Sequence, residues 1–242
     1  MTLLRSIVFV IWLYGTMLFI GLAFLPFVAF NDNYVWPGLR TWTRSVLWGL
    51  RWIIGARVVV EGQENIPKGG ALIAMKHQAM IDTMVPSLFL PKTVFVYKKE
   101  LNWTPILGLY LSRNQLAIDR GGHAKALKSM VRGAREAVSK ERQIIIFPEG
   151  TRQELDAPPD YKPGIAALYK DLELPVTPIA LNTGMVWKPK GIIRLPGVVT
   201  FKILPPIPPG MPRAEFMRVL EERIETASQA LLPPELRRKG AT

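Results

Sequence analysis

Charged and apolar positions are unevenly spread along the chain. From Ile7 to Phe30 the segment IVFVIWLYGTMLFIGLAFLPFVAF carries no charge over 24 residues. At about 1.5 Å per residue such a helix reaches roughly 36 Å, enough to cross a hydrocarbon core of about 30 Å with some tilt. It reads poorly as a cleavable leader, whose apolar region runs to about 7–15 residues before a small-residue cleavage site. In the next stretch, WPGLRTWTRSVLWGLRWIIGARVVV, Arg40, Arg44, Arg51 and Arg57 alternate with Trp42, Leu47, Trp48, Leu50, Trp52 and Ile53. This interleaving predicts an amphipathic helix lying among lipid headgroups, with an ordinary surface helix as the alternative. Four arginines after the apolar run, against Arg5 before it, favour a body on the cytoplasmic side. A re-entrant pair of helices held in one leaflet accommodates the same residues, and both topologies stand.

After residue 57 the pattern changes to short apolar runs separated by polar segments. RVVVE (57–61), ALIAM (71–75), TVFVY (93–97), QIIIF (143–147), VTPIAL (176–181) and VTFKIL (199–204) read as strands. HAKALKSMVRGAREAVSK instead places Leu127, Met130, Val131, Ala134 and Val138 at helical spacing, with basic residues opposite. Pro178 argues that its strand is an edge or is just starting. Pro205, Pro206, Pro208 and Pro209 mark an extended loop before a last helix around Arg213–Leu231. The fold class expected is α/β: a mostly buried mixed sheet covered by helices, with an N-terminal membrane-embedded helical segment. The division expected is an anchor over 1–56 and a body over 57–242.

Composition narrows the function. The 242 residues include no cysteine, which excludes disulfides, thiol catalysis and thiolate-ligated metal. With only two histidines, no metal site is expected, and no cofactor is called for. A net charge of +12 combined with 49% hydrophobic residues points to anionic lipid as the partner rather than to nucleic acid.

Three stretches carry candidate chemistry. AMKHQAMIDT sets His77 five positions before Asp82. Residues five apart do not share a helical face, so the pair meets only if His77 lies at a strand end and Asp82 in the first turn of the following helix. There the carboxylate can fix the imidazole tautomer and leave the other nitrogen as a general base. IIIFPEGTR delivers Glu149, Gly150, Thr151 and Arg152 at a strand's carboxyl end, where α/β sheets bind ligands. Arg152 can grip a phosphate; alternatively Glu149 and Arg152 simply pair with each other. Lys98, Lys99 and Arg120, in YKKELNWTPILGLYLSRNQLAIDRGG, are cations that would join Arg152 in an anion pocket if they converge. His123 opens a helix and reads as a surface or capping residue.

In this order, H-x4-D, then K-x-L…P…G with I-D-R, then F-P-E-G-T-R, then V-x-P-[IV], the motifs resemble those of the glycerolipid acyltransferases. The likeness is nearest to the bacterial 1-acyl-sn-glycerol-3-phosphate acyltransferases and covers about residues 57–205. F-P-E-G-T-R is its specific part, and Lys76 departs from an asparagine common in the family. The resemblance implies acyl transfer from acyl-ACP or acyl-CoA to the sn-2 hydroxyl of lysophosphatidic acid, giving phosphatidic acid in phospholipid biosynthesis at the bacterial inner membrane. It implies His77 as base and Asp82 as its orienter. Lys98, Lys99, Arg120, Gly150, Thr151 and Arg152 would bind substrate, and Glu149 would meet acceptor hydroxyls or hold the cations. Asp119 of I-D-R would be structural. With the substrate alcohol as nucleophile, neither cysteine nor a G-x-S-x-G elbow is required. Alternatives are another acceptor, such as lyso-ornithine lipid or glycerol 3-phosphate, or a non-enzymatic basic monotopic lipid-binding protein. The last accounts for residues 1–57 but gives no reason for H-x4-D together with F-P-E-G-T-R.

Overall fold

The structure, a computed structural model, describes residues 1–98, 103, 107–114, 116–118 and 123–238. Helix α1 (Thr2–Phe30) is followed by α2 (Val35–Gly49), which widens into a π-turn over Leu50–Ile54 and stops at the left-handed Gly55. The two helices form an antiparallel hairpin. Trp12 donates its indole N–H to Ser45 O at 2.9 Å, Trp42 donates to Leu13 O at 3.2 Å, and Phe27 meets Tyr34 near the turn. They approach so closely that a Cβ at Gly49 would lie 2.5 Å from the Trp12 ring, so only glycine fits there. Helix α1 has a window of mean hydropathy 2.3, of which 11% is buried, and is long and apolar enough to cross a membrane. Phe19, Leu22 and Phe30 point away from the protein.

Among the described residues the sheet has seven strands: β1 (Ala56–Glu61), β2 (Ala71–Met75), β3 (Thr93–Lys98), β4 (Leu116–Ile118), β5 (Gln143–Ile146), β6 (Val176–Leu181) and β7 (Gly197–Ile203), in the order β1-β7-β6-β2-β5-β3-β4. Among the described residues only the β6–β7 pairing is antiparallel, so the sheet is mixed, as the sequence predicts. Every residue of β2, β5 and β6 is buried, because helices cover both faces of a parallel core. Alternation sends Ile73, Met75, Ile145, Ile179 and Leu181 to the side of α1 and α2. Leu72, Ala74, Ile144, Ile146 and Val176 face α4 (His123–Ser139), α5 (Gly164–Leu172) and α6 (Arg213–Ala230). The remaining helix, α3 (Leu107–Asn114), rests on α1, with the Tyr110 hydroxyl donating to Gly21 O.

Three expectations change. Pro178 sits in β6, an interior strand, opposite Ala74 of β2. Its missing N–H is tolerated because the other side of β6 is irregular there. Val176 pairs with Ile207 and Ile179 with Ile203, so three steps along β6 face four in the partner, and only Pro178 O is used, by Leu204 N at 2.9 Å. The Trp/Arg segment does not lie wholly among lipids. Trp42 and Leu50 are buried in the protein core, while Trp48 and Trp52 stay exposed, with Arg51 over the Trp52 ring. Arg40 is spent on the body, donating to the carbonyls of Ser87 and Pro91. In α4 the buried face runs through Met130, Ala134 and Ala137, and Leu127 is exposed. Strand β4 and helices α3 and α5 are additions to the elements read from the sequence.

The hydrophobic cluster beneath α1 is continuous with the sheet: Phe9 and Leu13 join Trp187, Phe201 and Ile179. Phe9 is fully buried, edge-on to Trp187 at 5.6 Å. Phe9→Ala should therefore destabilise the whole chain by about 3–5 kcal/mol, read from its denaturation midpoint. A cost below about 1 kcal/mol would mean that α1 contributes nothing to the core.

Candidate active site

Parallel β2 and β5 are neighbours, so the segments that leave their carboxyl ends emerge side by side. Lys76 N still bonds to Ile179 O at 3.1 Å, and His77 is the first residue free of the ladder. Its backbone is held twice by the segment after β5. His77 N donates to Glu149 Oε2 at 2.9 Å, and His77 O accepts from Gln153 N at 2.8 Å. The chain then turns through Met80–Thr83, a single 3-10 turn in place of a full helix, with Asp82 as its third residue. Asp82 is fully buried. Its Oδ2 accepts from Gln78 N at 2.7 Å and Ala79 N at 2.8 Å, and lies 3.0 Å from His77 Nδ1. A carboxylate on Nδ1 assigns the ring proton to that nitrogen. His77 Nε2 makes no hydrogen bond among the described residues. One ring face stacks on Phe147, at 3.9 Å between centroids and 19° between planes. The side chain is 14% exposed, so the histidine has one accessible edge.

Below His77 lies a buried charge cluster. Lys76, 2% exposed, places Nζ 2.9 Å from Glu149 Oε1 and 2.7 Å from Glu225 Oε1 of α6. The Tyr161 hydroxyl donates to the same Glu225 oxygen at 3.1 Å. Burial raises the Glu149 carboxyl above its ordinary value, against the pull of Lys76 and the His77 N–H. Burial and the two glutamates raise the Tyr161 phenol well above its own. Glu149, expected among the substrate-binding residues, sits beneath His77 in this cluster. It is 1% exposed and both its oxygens are occupied, so it acts from beneath the site and pairs with Lys76 rather than with Arg152. Gly150 has φ +68°, and its N–H closes a tight turn onto Phe147 O. That backbone conformation is the reason for glycine there, since a Cβ would find its nearest neighbour at 3.7 Å. Thr151 and Arg152 follow, both exposed. Lys98 is the last residue of β3. Lys99, Asp119 and Arg120 lie outside the described residues, and His123 opens α4.

A model of the acyltransferase family matches residues 57–182. The chain belongs to that family. Among similar proteins, 1-acyl-sn-glycerol-3-phosphate acyltransferase from Pseudomonas aeruginosa is 34% identical over 195 residues, covering 80% of this chain and 74% of that protein. The enzyme of the same name from Cocos nucifera is 33% identical over 65% of this chain and 52% of its own length. The crystal structure of the 1-acyl-sn-glycerophosphate acyltransferase from Thermotoga maritima superposes with a TM-score of 0.78 at 22% identity, over 96% of this chain and 99% of that one. At that identity the likeness shows a shared fold.

The acyltransferase family motifs thus meet in space: H-x4-D and F-P-E-G-T-R touch through Glu149 and His77 and through the His77–Phe147 stack. Not anticipated were Glu225, Tyr161, Phe147 in its stacking role, and Gln78, whose Oε1 accepts Gly184 N at 3.0 Å. A lysine inside an apolar strand end is the one sequence signal for the cluster, since it requires a buried carboxylate.

Because a proton binds Glu149 more tightly in the fold than in the unfolded chain, its stabilising contribution is full below its ordinary value of 4.5 and is lost as pH rises through the raised folded value. Glu149→Gln lacks this loss. The melting temperature of the variant relative to wild type should climb from pH 4.5 toward neutrality. The opposite slope would mean that the attraction of Lys76 outweighs burial.

Proposed function

We propose that the chain moves a fatty acyl group from acyl-ACP or acyl-CoA to the sn-2 hydroxyl of lysophosphatidic acid, giving phosphatidic acid. The observation that carries this reading is the 3.0 Å His77 Nδ1–Asp82 Oδ2 contact, with Nε2 left unpartnered among the described residues. The relatives' names add the acceptor. His77 Nε2 takes the proton of the acceptor hydroxyl as its oxygen attacks the thioester carbon. The C–O bond forms, the C–S bond breaks, and the proton passes on to the departing thiolate. Asp82 stabilises the imidazolium formed on the way. The Phe147 stack keeps the ring from turning, so that positioning supplies much of the acceleration. Arg152 binds the acceptor's phosphate, with Lys98, Lys99, Arg120 and Thr151 as further contacts. Residues 1–56 anchor the catalytic part, 57–242, at the cytoplasmic face of the inner membrane, where a single-chain lipid acceptor resides. The net charge of +12 suits that anionic surface.

His77→Ala should lower turnover by at least about a hundredfold without moving the melting temperature or membrane binding by a comparable extent. Thiol release from acyl-CoA or acyl-ACP in the presence of lysophosphatidic acid gives the measurement, and near-normal turnover rules out His77 as the base. Arg152→Ala should raise KM for lysophosphatidic acid about tenfold or more, in keeping with a charge-assisted contact, and leave the donor KM nearly unchanged. An equal effect on both substrates would count against a phosphate role.

A further inference from the structure

Beyond β6 the chain makes a short hairpin in which Trp187 and Arg194 pair across an antiparallel bridge. Arg194 is 7% exposed and forms no ion pair among the described residues. Burying a guanidinium without an anion is costly, so such a group normally lies against a carboxylate. Here it is held by weaker partners. Its Cζ lies over the Trp187 ring, 4.3 Å from the centroid, and Nη1 donates to Gly191 O and Ile193 O, each at 3.0 Å. Its backbone N–H donates to Ser6 Oγ of α1 at 2.9 Å. Nε is buried with no hydrogen-bond partner among the described residues. Nη2 likewise makes no hydrogen bond among the described residues. The guanidinium is therefore rigidly oriented, cationic, and short of an acceptor.

The hairpin also adjoins the site. Its stem begins at the turn Thr183–Met185, where Gly184 N bonds to the side chain of Gln78, the residue after His77. A Cβ at Gly184 would lie 2.9 Å from the side chain of Leu155, three positions after Arg152. Burial lowers the Arg194 pKa to about 10, against the attraction of Tyr14 and with help from the Arg152 charge, a value at which the group is still protonated at neutral pH. Neither arginine has a carboxylate partner among the described residues.

We propose that Arg194 is a second guanidinium for the phosphate of the acceptor, held against the base of α1 by Ser6 and presented from the Trp187 platform on the side of the site where Arg152 enters. The inference rests on the lysophosphatidic acid reading given above. It assigns the 187–194 hairpin a share in headgroup selection, so that a phosphate monoester is preferred over an uncharged glycerol lipid.

The test uses the full chain in mixed micelles without donor, measuring the affinities of 1-oleoyl-lysophosphatidic acid and of 1-oleoylglycerol. Arg194→Gln should weaken the phosphorylated lipid by about tenfold or more, the loss of a charge-assisted contact. It should leave the affinity for 1-oleoylglycerol within about twofold. Inorganic phosphate should compete with lysophosphatidic acid on wild type and lose this ability in the variant; competition confined to the lipid would place the selectivity in the headgroup's glycerol linkage and overturn the phosphate contact. Equal weakening of both lipids would make Arg194 only a brace for the hairpin, and an unchanged affinity ratio would overturn the inference. Should the glutamine variant fail to fold, the Nε–H resonance of Arg194 in the wild-type chain decides, identified by its loss in Arg194→Lys. It should shift with lysophosphatidic acid and not with 1-oleoylglycerol, and an unmoved resonance overturns the assignment. Thiol release separates the two readings. Arg194-dependent phosphate preference without acyl transfer to lysophosphatidic acid would sink the assigned reaction alone, and normal transfer with an unmoved affinity ratio would sink this inference alone.

Discussion

The ammonium group of Lys76, enclosed where β2 ends, is the charge around which the site is organised. A lone buried cation would be too costly to retain, so two carboxylates must be brought to it from distant parts of the chain. Glu149 comes from the loop after β5 and Glu225 from α6, at 2.9 and 2.7 Å. Each also has a second partner. Glu149 uses its other oxygen to hold the His77 backbone, and Glu225 accepts from Tyr161. A single electrostatic requirement therefore ties two strand ends, a loop and the last helix to the backbone of the candidate base. Such a cluster is weak evidence of net stability, since desolvation offsets most of the attraction. Removing one member is a different matter, because it leaves the others buried and uncompensated.

Above this cluster the environment changes sharply. The imidazole lies between the carboxylate of Asp82 and the face of Phe147, with one edge open. Asp82 is fixed by two backbone N–H groups of the same turn before it meets the ring. Among the described residues, three hydrogen bonds converge on its Oδ2 and none reaches Oδ1. The result is a carboxylate whose orientation is set by the backbone, which in turn sets the ring.

Much of this was legible in the sequence, for identifiable reasons. All six strand runs fell where strands formed, because a parallel core needs continuous apolar stretches and such runs are conspicuous. The His77–Asp82 contact followed from helical geometry and the position of an apolar run before it. Pro178 misled because the rule for proline concerns its missing N–H, and the bulge that excuses it depends on residues 203–207, invisible to a local reading. Glu225 could not be found at all: it lies 149 positions from Lys76, and a charged residue on a helix ordinarily means a solvated face. The Trp/Arg segment was half right, since amphipathicity identifies an apolar face without saying whether lipid or protein covers it.

An N-terminal helical hairpin that merely leaned on the sheet would be interchangeable among related enzymes. Here the interior surface of α1 is also the lid of the sheet, with Phe9 and Leu13 in the same cluster as Phe201 and Ile179. A recombination joint at residue 56 would divide that cluster between two ancestries. The hairpin and the sheet must therefore be inherited together, and sequence change in α1 is freest at its outward residues, such as Phe19, Leu22 and Phe30.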